Sequence, residues 1–489
     1  MNDSTHNIEQ TNTKAQNPSA SPNFETSVYS LSFTPKRLPP AYTLTRQQVL
    51  ALSLRLASFN TTEKHEVYLS KGKYHIDTNV YGIRIESDSK SGVVAKAECA
   101  KFWRNSLENR VNLERINFEA RHKLVGGPNS ENKEVYSSNA TVKRMREKTE
   151  ASNKSLSTMF IKNTITGQEL SMLDIANASF SNRFNELYSF TKNFEAMAKE
   201  NEMDWIFVTL TAPPEFHPNP SSLKSKCSYK PELGVKGSHA YINGAWKIIR
   251  AMLSKWGIKA SPTTYFGART VEVHKDGCIH WHLLIFIQNS LIHNFTKACR
   301  EKFPLPGQLK IVLGDDNKGS ASSYVFKYIM KEFNTNTLDR SITSRLTEAD
   351  RLKDAEREQM DLASIENSER VRAAIRAMCI RQYQTIGLLR VTTLLRKINK
   401  LDLTPVVDTE ETILGFIRKE VWRNPMGLKN LLQKPHIFSQ GEGQSPSIKL
   451  IKESTLSRYG EERERIIGIE IDGLKFISKG LFKIVKKQK

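Results

Sequence analysis

Three of the chain's 11 histidines, His274, His280 and His282, fall within nine residues. In a strand, side chains two apart share a face, so His280 and His282 present two imidazoles to one side with Trp281 on the other. Ring nitrogens at that spacing can reach one divalent cation, and the preceding strand can supply further ligands. The connection decides which ones. If Lys275-Asp276-Gly277 forms a three-residue loop with Gly277 in the left-handed region, His274 lies opposite Cys278 and Glu272 opposite His280. Glu272, His274, His280 and His282 then line one face, with Val271, Val273 and Ile279 on the other. If Asp276-Gly277 is instead a two-residue turn, Val273 faces His280 and the third ligand is lost. The polar pattern favours the first register. A solvent-facing polar strip would explain the alternation but not the concentration of histidine. Glu272 is the preferred third ligand; His274 is a ligand, a neighbour of the ligands or a nucleic-acid contact. Cys278 sits beyond the pair, which argues against its ligating the same ion. Imidazole with carboxylate accepts Mg²⁺, Mn²⁺ or Zn²⁺, and the expectation here is Mg²⁺ or Mn²⁺.

A second reactive set lies at 323–331, a stretch of helical character. Tyr324 and Tyr328 are four residues apart and stack on one helix face, Lys331 continues that stripe, and Lys327 lies beside it. Aromatic anchors on an amphipathic helix would have the same spacing. The chemistry open to them is covalent catalysis, in which a phenol oxygen attacks a DNA phosphodiester, forms a 5′-phosphotyrosyl link and frees a 3′-hydroxyl. A phenol with a pKa of about 10 needs help, which a metal-bound phosphate and nearby lysines can give. Two tyrosines allow one to hold the cut strand while the other attacks later.

The elements that must position these groups are legible around them. Asp204–Thr211 is a β-rich run that stops at Ala212-Pro213-Pro214. Residues 240–256 show helical spacing, with Ile242, Trp246, Ile249 and Leu253 on one face. The two histidine-bearing strands follow, then a helix near 291–302, a strand at Leu309–Leu313 and a helix over about 322–333. This order predicts an α+β domain with a central antiparallel β-sheet at 200–335, flanked by mostly helical regions. Residues 1–28 read as a disordered tail, 29–199 as mostly helical with a doubtful stretch at 60–85, 336–400 as helical and 401–489 as a basic C-terminal region. Residues 345–377 look like exposed helix.

Across 489 residues, 73 Lys and Arg against 52 Asp and Glu give a formal charge of +21, which favours polyanionic partners. The five cysteines form no CxxC pair, against a disulfide scaffold or a four-cysteine zinc site. No stretch reaches the roughly 18 apolar residues of a membrane span, so a cytoplasmic setting without membrane is expected.

Taken together, these residues resemble the phage replication gene A proteins, rolling-circle replication initiators of the His-hydrophobe-His endonuclease superfamily. Thr209-Leu210-Thr211-Ala212-Pro213 resembles the first motif, Glu272 to Leu284 the metal-binding motif, and Tyr324 to Lys331 the motif of the two-tyrosine branch. The residue ahead of the first histidine is often proline in the family and here is Ile279. Cys99–Arg104 and Ile380–Gly387 resemble flanking segments, so the likeness covers roughly 95–395. It implies a five-stranded antiparallel sheet with the metal and the nucleophile helix on one face. It also implies single-stranded origin DNA as substrate, and a host helicase and DNA polymerase as partners. Thr209 and Thr211 would be structural or DNA-positioning groups, and Arg381 and Gln382 would touch DNA or support the fold. The same chemistry serves plasmid mobilisation relaxases and transposases, and a basic surface alone would serve a non-catalytic DNA-binding protein.

Overall fold

The computed structural model describes residues 38–58, 66–78, 80–127, 134–164, 166–220, 228–314, 321, 365–388, 448–471, 474–477 and 482–486. Helix α1 (Arg46–Ala57) begins with a capping box, in which Thr45 Oγ1 accepts from the Gln48 amide and Gln48 Oε1 from the Thr45 amide. Strands β1 (Tyr68–Ser70), β2 (Lys73–Asp77) and β3 (Arg84–Ser87) form a small antiparallel sheet in the stretch whose sequence pattern is doubtful. Helices α2 (Lys90–Ala97) and α3 (Ala100–Arg121) pack Val93, Trp103, Leu107 and Val111 against Ile76 and Ile85 in a separate core. Helix α4 (Asn139–Leu156) is capped by Ser138. Strands β4 (Met159–Asn163) and β5 (Glu169–Ser171) then lead into the long helix α5 (Met172–Glu200).

The main sheet follows: β6 (Asp204–Thr211), helix α6 (Val235–Lys255), β7 (Tyr265–Val273), β8 (Ile279–Ile287), helix α7 (Ile292–Lys302) and β9 (Leu309–Leu313). Each of these lies where the sequence pattern predicts it. Helix α8 (Ile365–Ala377) and β10 (Tyr383–Ile386) come next. The sheet has order β10-β7-β8-β6-β9 and is antiparallel throughout. Its fifth strand therefore comes from beyond the 200–335 segment. Helix α8 is not exposed along its length as its mixed charges suggest: Val371, Ala373, Ala374, Ile375 and Ala377 are buried in the same core. Those five residues form an apolar stripe that the surrounding charges disguise.

Strand alternation sorts the sheet into two faces. Val271, Ile279, Trp281, Leu283 and Ile285 pack with Leu210, Val208 and Ile206 beneath α6 and α7, where Ile242, Trp246, Ile249 and Leu253 meet them. Burial of each large apolar side chain here stabilises by about 1.5–3 kcal/mol. The opposite face is covered at one end by α5, whose Phe194 ring lies 6.0 Å from that of Phe266. Its other end carries Glu272, His280 and His282.

The C-terminal region contains strands β11 (Ile448–Leu456), β12 (Glu462–Ile471), β13 (Leu474–Ile477) and β14 (Phe482–Lys486). Within it, β14 pairs antiparallel with β4. The β11–β12 turn docks on the N-terminal unit, where Ser87 Oγ and Lys96 Nζ each donate to Glu461 Oε1 at 2.6 Å. Among the described residues no helix is long and apolar enough to cross a membrane.

Two tests follow from this packing. A Cβ at Gly267 would sit 1.9 Å from the Leu284 carbonyl oxygen across the β7–β8 ladder. Gly267→Ala should therefore lower unfolding free energy by about 1–3 kcal/mol in urea titrations, and an unchanged midpoint would refute this close approach. Burial alone would raise the Glu461 carboxyl, but Lys96 and Ser87 outweigh it and hold the group at about 2 against an ordinary 4.5. A depressed carboxylate stabilises above its unfolded value and loses that effect as pH falls through its folded value. Wild type and Glu461→Gln should thus differ in stability at neutral pH and converge in acid; a constant gap would contradict the docking contact.

Candidate metal centre

The hairpin that carries the site is closed by Lys275-Asp276-Gly277. The Gly277 amide donates to the His274 carbonyl at 2.8 Å, and the His274 amide to the Cys278 carbonyl at 2.7 Å. Gly277 has φ of 89°, in the region glycine tolerates. The register that results pairs Glu272 with His280 and Val273 with Ile279, the first of the two alternatives open to the sequence. It is held from outside as well. The Tyr136 amide donates to the Lys275 carbonyl, while within the turn Asp276 Oδ1 accepts from the Cys278 amide.

This register brings three side chains together. Glu272 Oε2 lies 2.8 Å from His280 Nε2 and 2.6 Å from His282 Nε2. One ligand atom from each residue lies within 4.8 Å of the others. His282 is buried, while His280 and Glu272 keep 12% and 11% of their side-chain surface exposed. Thr209 stands opposite His282 on β6, and its Oγ1 is 3.1 Å from His282 Nδ1. With Nδ1 engaged by the hydroxyl, Nε2 is the nitrogen turned to Glu272. Phe207 stacks on the His282 ring at 5.4 Å and fixes its plane.

His274 adjoins this triad, with its ring centroid 4.0 Å from that of His280. Burial, then His280 and His217, push its pKa well down and keep it neutral. Its Nε2 is buried without a hydrogen-bond partner among the described residues. Two imidazoles, a carboxylate and a neutral histidine with a free buried nitrogen beside them are a donor set that fits a divalent cation. Cys278 stays out of it: the residue is fully buried in the core, and burial pushes its thiol up.

Other predicted residues fall elsewhere. Thr211 is half-buried opposite His280. Arg381 is exposed and Gln382 buried, and the Gln382 carbonyl accepts from the Val271 amide. Tyr324, Lys327, Tyr328 and Lys331, with the helix expected over 322–333, lie outside the described residues.

Sequence reasoning missed the supports. His217 Nδ1 is 3.0 Å from Asp276 Oδ2. Burial opposes protonation, but Asp276 and Cys278 outweigh it and push His217 up to about 10, making a charged strap from the end of the first motif to the hairpin turn. On the reverse face, Trp281 Nε1 donates to His239 Nδ1 at 3.0 Å, and the buried Arg269 guanidinium lies 4.0 Å above the indole. Burial, then Arg269 and Lys236, hold His239 at about 4, so it is neutral and can accept. No spacing in the sequence signals these contacts; they depend on which strands lie side by side.

The Thr209 contact can be tested directly. Thr209→Val should weaken Mn²⁺ binding by about 10- to 100-fold in calorimetric titration while leaving thermal unfolding unchanged. Wild-type affinity in that variant would remove the hydroxyl from the site.

Comparison with known proteins agrees with the family resemblance. The profile of the bacteriophage replication gene A protein (GPA) family matches residues 74–336, more than half of the chain. The chain is 26% identical over 408 residues to the "Replication protein" of Haemophilus phage HP1 (strain HP1c1), covering 79% of this chain and 47% of that one. It is 27% identical over 269 residues to the "Probable replication protein P12" of Pseudoalteromonas phage PM2, covering 52% and 40%. It is 31% identical over 186 residues to the "Probable replication endonuclease from prophage-like region 1" of Salmonella typhi, covering 34% and 21%. The chain thus spans less than half the length of these curated relatives. No solved structure matches it. The family match, the motif order and the histidine–carboxylate hairpin converge on one assignment: this chain belongs to the bacteriophage replication gene A protein family.

Proposed function

We propose that the chain is a site- and strand-specific, metal-dependent DNA nickase that joins itself to the cut strand and so initiates rolling-circle replication. The observation that carries this reading is the Glu272–His280–His282 cluster on one face of the sheet, in a chain of the replication gene A family. The replication endonuclease name of the Salmonella typhi relative supports the same class of reaction.

Glu272, His280 and His282 would hold a divalent cation, Mg²⁺ or Mn²⁺, with His274 beside them. When bound, the cation polarises the non-bridging oxygens of the scissile phosphate. The chain's own groups do the rest. Thr209 and Phe207 fix the His282 ring. Tyr324 or Tyr328 then attacks phosphorus: the phenol oxygen–phosphorus bond forms, the bond from phosphorus to the 3′ oxygen breaks, and the proton lost by the phenol is balanced by one gained at the 3′-hydroxyl. Lys327 and Lys331 offset the charge that builds on the phosphate. The second tyrosine attacks at the regenerated origin after a round of synthesis. The freed 3′ end serves a host polymerase, and a host helicase opens the duplex in the bacterial cytoplasm.

Oligonucleotides spanning the origin, labelled at the 5′ or 3′ end, test this. With Mg²⁺ or Mn²⁺ a covalent adduct should form with the fragment downstream of the cut. It should vanish in the Tyr324→Phe/Tyr328→Phe double variant. His280→Ala and His282→Ala should each abolish cleavage yet retain DNA binding, because phosphate contacts elsewhere supply much of the affinity. An adduct that persists in the tyrosine double variant would overturn the nucleophile assignment, and normal cleavage by both histidine variants the metal assignment.

A further inference from the structure

Helices α6 and α7 cover the sheet face that carries Trp281, so their outer surface points away from Glu272, His280 and His282. That surface is unusually one-sided in charge. Helix α6 has Lys236, Lys247, Arg250 and Lys255 and no acidic residue. Lys236, Asn243, Lys247, Arg250 and Ser254 recur at helical spacing, which places them in one stripe along its length. Lys247, Arg250 and Lys255 are exposed. Helix α7 adds Lys297, Arg300 and Lys302 against Glu301 alone. Among the described residues Glu301 pairs with Lys302, and no carboxylate pairs with Lys247, Arg250, Lys255, Lys297 or Arg300. A solvated helix face ordinarily mixes both signs; this one presents unpaired cations.

An exposed aromatic ring adjoins the cations of α7. Trp256, just past the end of α6, is 41% exposed, and Lys297 Nζ reaches across from α7 to 6.0 Å from its ring centroid. Ile248 is 49% exposed beside the stripe. Cations that track a phosphate backbone, next to an exposed indole on which a base can stack, are the two features of a sequence-tolerant single-strand site.

We infer that the outer face of α6 and α7 is a second nucleic-acid surface, which binds single-stranded DNA on the side of the sheet away from the metal centre. Lys247, Arg250, Lys255, Lys297 and Arg300 contact phosphates, and Trp256 stacks on a base. The assignment goes beyond nicking, since it requires no cut and no metal. It gives the chain a hold on a strand that has already left, or has not yet reached, the cleavage site.

Fluorescence anisotropy with labelled poly(dT) of about 30 nucleotides, longer than a single-strand site of ordinary size, tests it on the full chain. The Lys247→Gln/Arg250→Gln/Lys297→Gln variant should bind at least about tenfold more weakly near 0.1 M salt, with the slope of log affinity against log salt smaller by about two. Trp256→Ala should weaken poly(dT) binding about tenfold and duplex binding far less. The triple variant should still nick a short origin oligonucleotide like wild type. If neither protein nicks but the binding difference remains, the nickase reading fails and this surface stands. Unchanged poly(dT) affinity in the triple variant would overturn the proposal. So would equal loss for single strand and duplex with no effect of Trp256→Ala, or preferential binding of the wild type to vesicles of anionic phospholipid.

Discussion

The hydrogen bonds that close the turn from His274 to Cys278 determine the chemistry available to the molecule. Side chains in a strand alternate with a period of two, so a slip of one residue between β7 and β8 would send every side chain of one strand to the wrong side. With Gly277 taking the left-handed conformation, three residues span the turn and Glu272 arrives opposite His280. A two-residue turn would place Val273 there, and two imidazoles would face an aliphatic side chain. The core gives the same instruction from the other face, because Val271, Ile279 and Trp281 can be buried together only in the observed register. Turn and core therefore agree, and that agreement makes a site from residues that are ordinary taken singly.

Around the turn, several polar groups are braced by other elements. Thr209 on β6 meets His282, His217 beyond β6 meets Asp276, and Tyr136 before α4 holds Lys275. On the far face Trp281 is gripped by His239 and Arg269. A rigid set of side chains loses little entropy when it closes on a ligand, which is the general advantage of preorganisation. The charged pair His217–Asp276 and the neutral pair Trp281–His239 reach that end by different means. One is an ion pair kept from water, the other an indole donor that would otherwise be buried unsatisfied.

Much of this was legible in the residues. The strand at Asp204–Thr211, the helices at Val235–Lys255 and Ile292–Lys302, and the hairpin follow from periodicity, because one buried face leaves a pattern of two or 3.6. The grouping of Glu272 with His280 and His282 followed from the turn chemistry of Asp276-Gly277. What escaped depends on contacts between segments far apart in sequence. His217 carries no mark of its bond to Asp276. The stretch from Tyr68 to Ser87 mixes charged with apolar residues in runs too short to show a period. Helix α8 hides its buried alanines among charges, and the strand Phe482–Lys486 is short, with Ile484 63% exposed, so only its partner β4 defines it.

The pairing of β10 with β7 carries a consequence for how the chain comes to be folded. β7 is the strand that bears Glu272, and among the described residues one of its two edges is completed by Tyr383–Ile386. During synthesis, that edge leaves the ribosome more than a hundred residues before its neighbour does. Until then its backbone amides and carbonyls are an open template on which another nascent chain could add a strand. A fragment that stops after β9 would keep this vulnerability permanently. The hairpin that carries Glu272, His280 and His282 is therefore a late-maturing part of the molecule, covered along that edge only after translation has passed well beyond it.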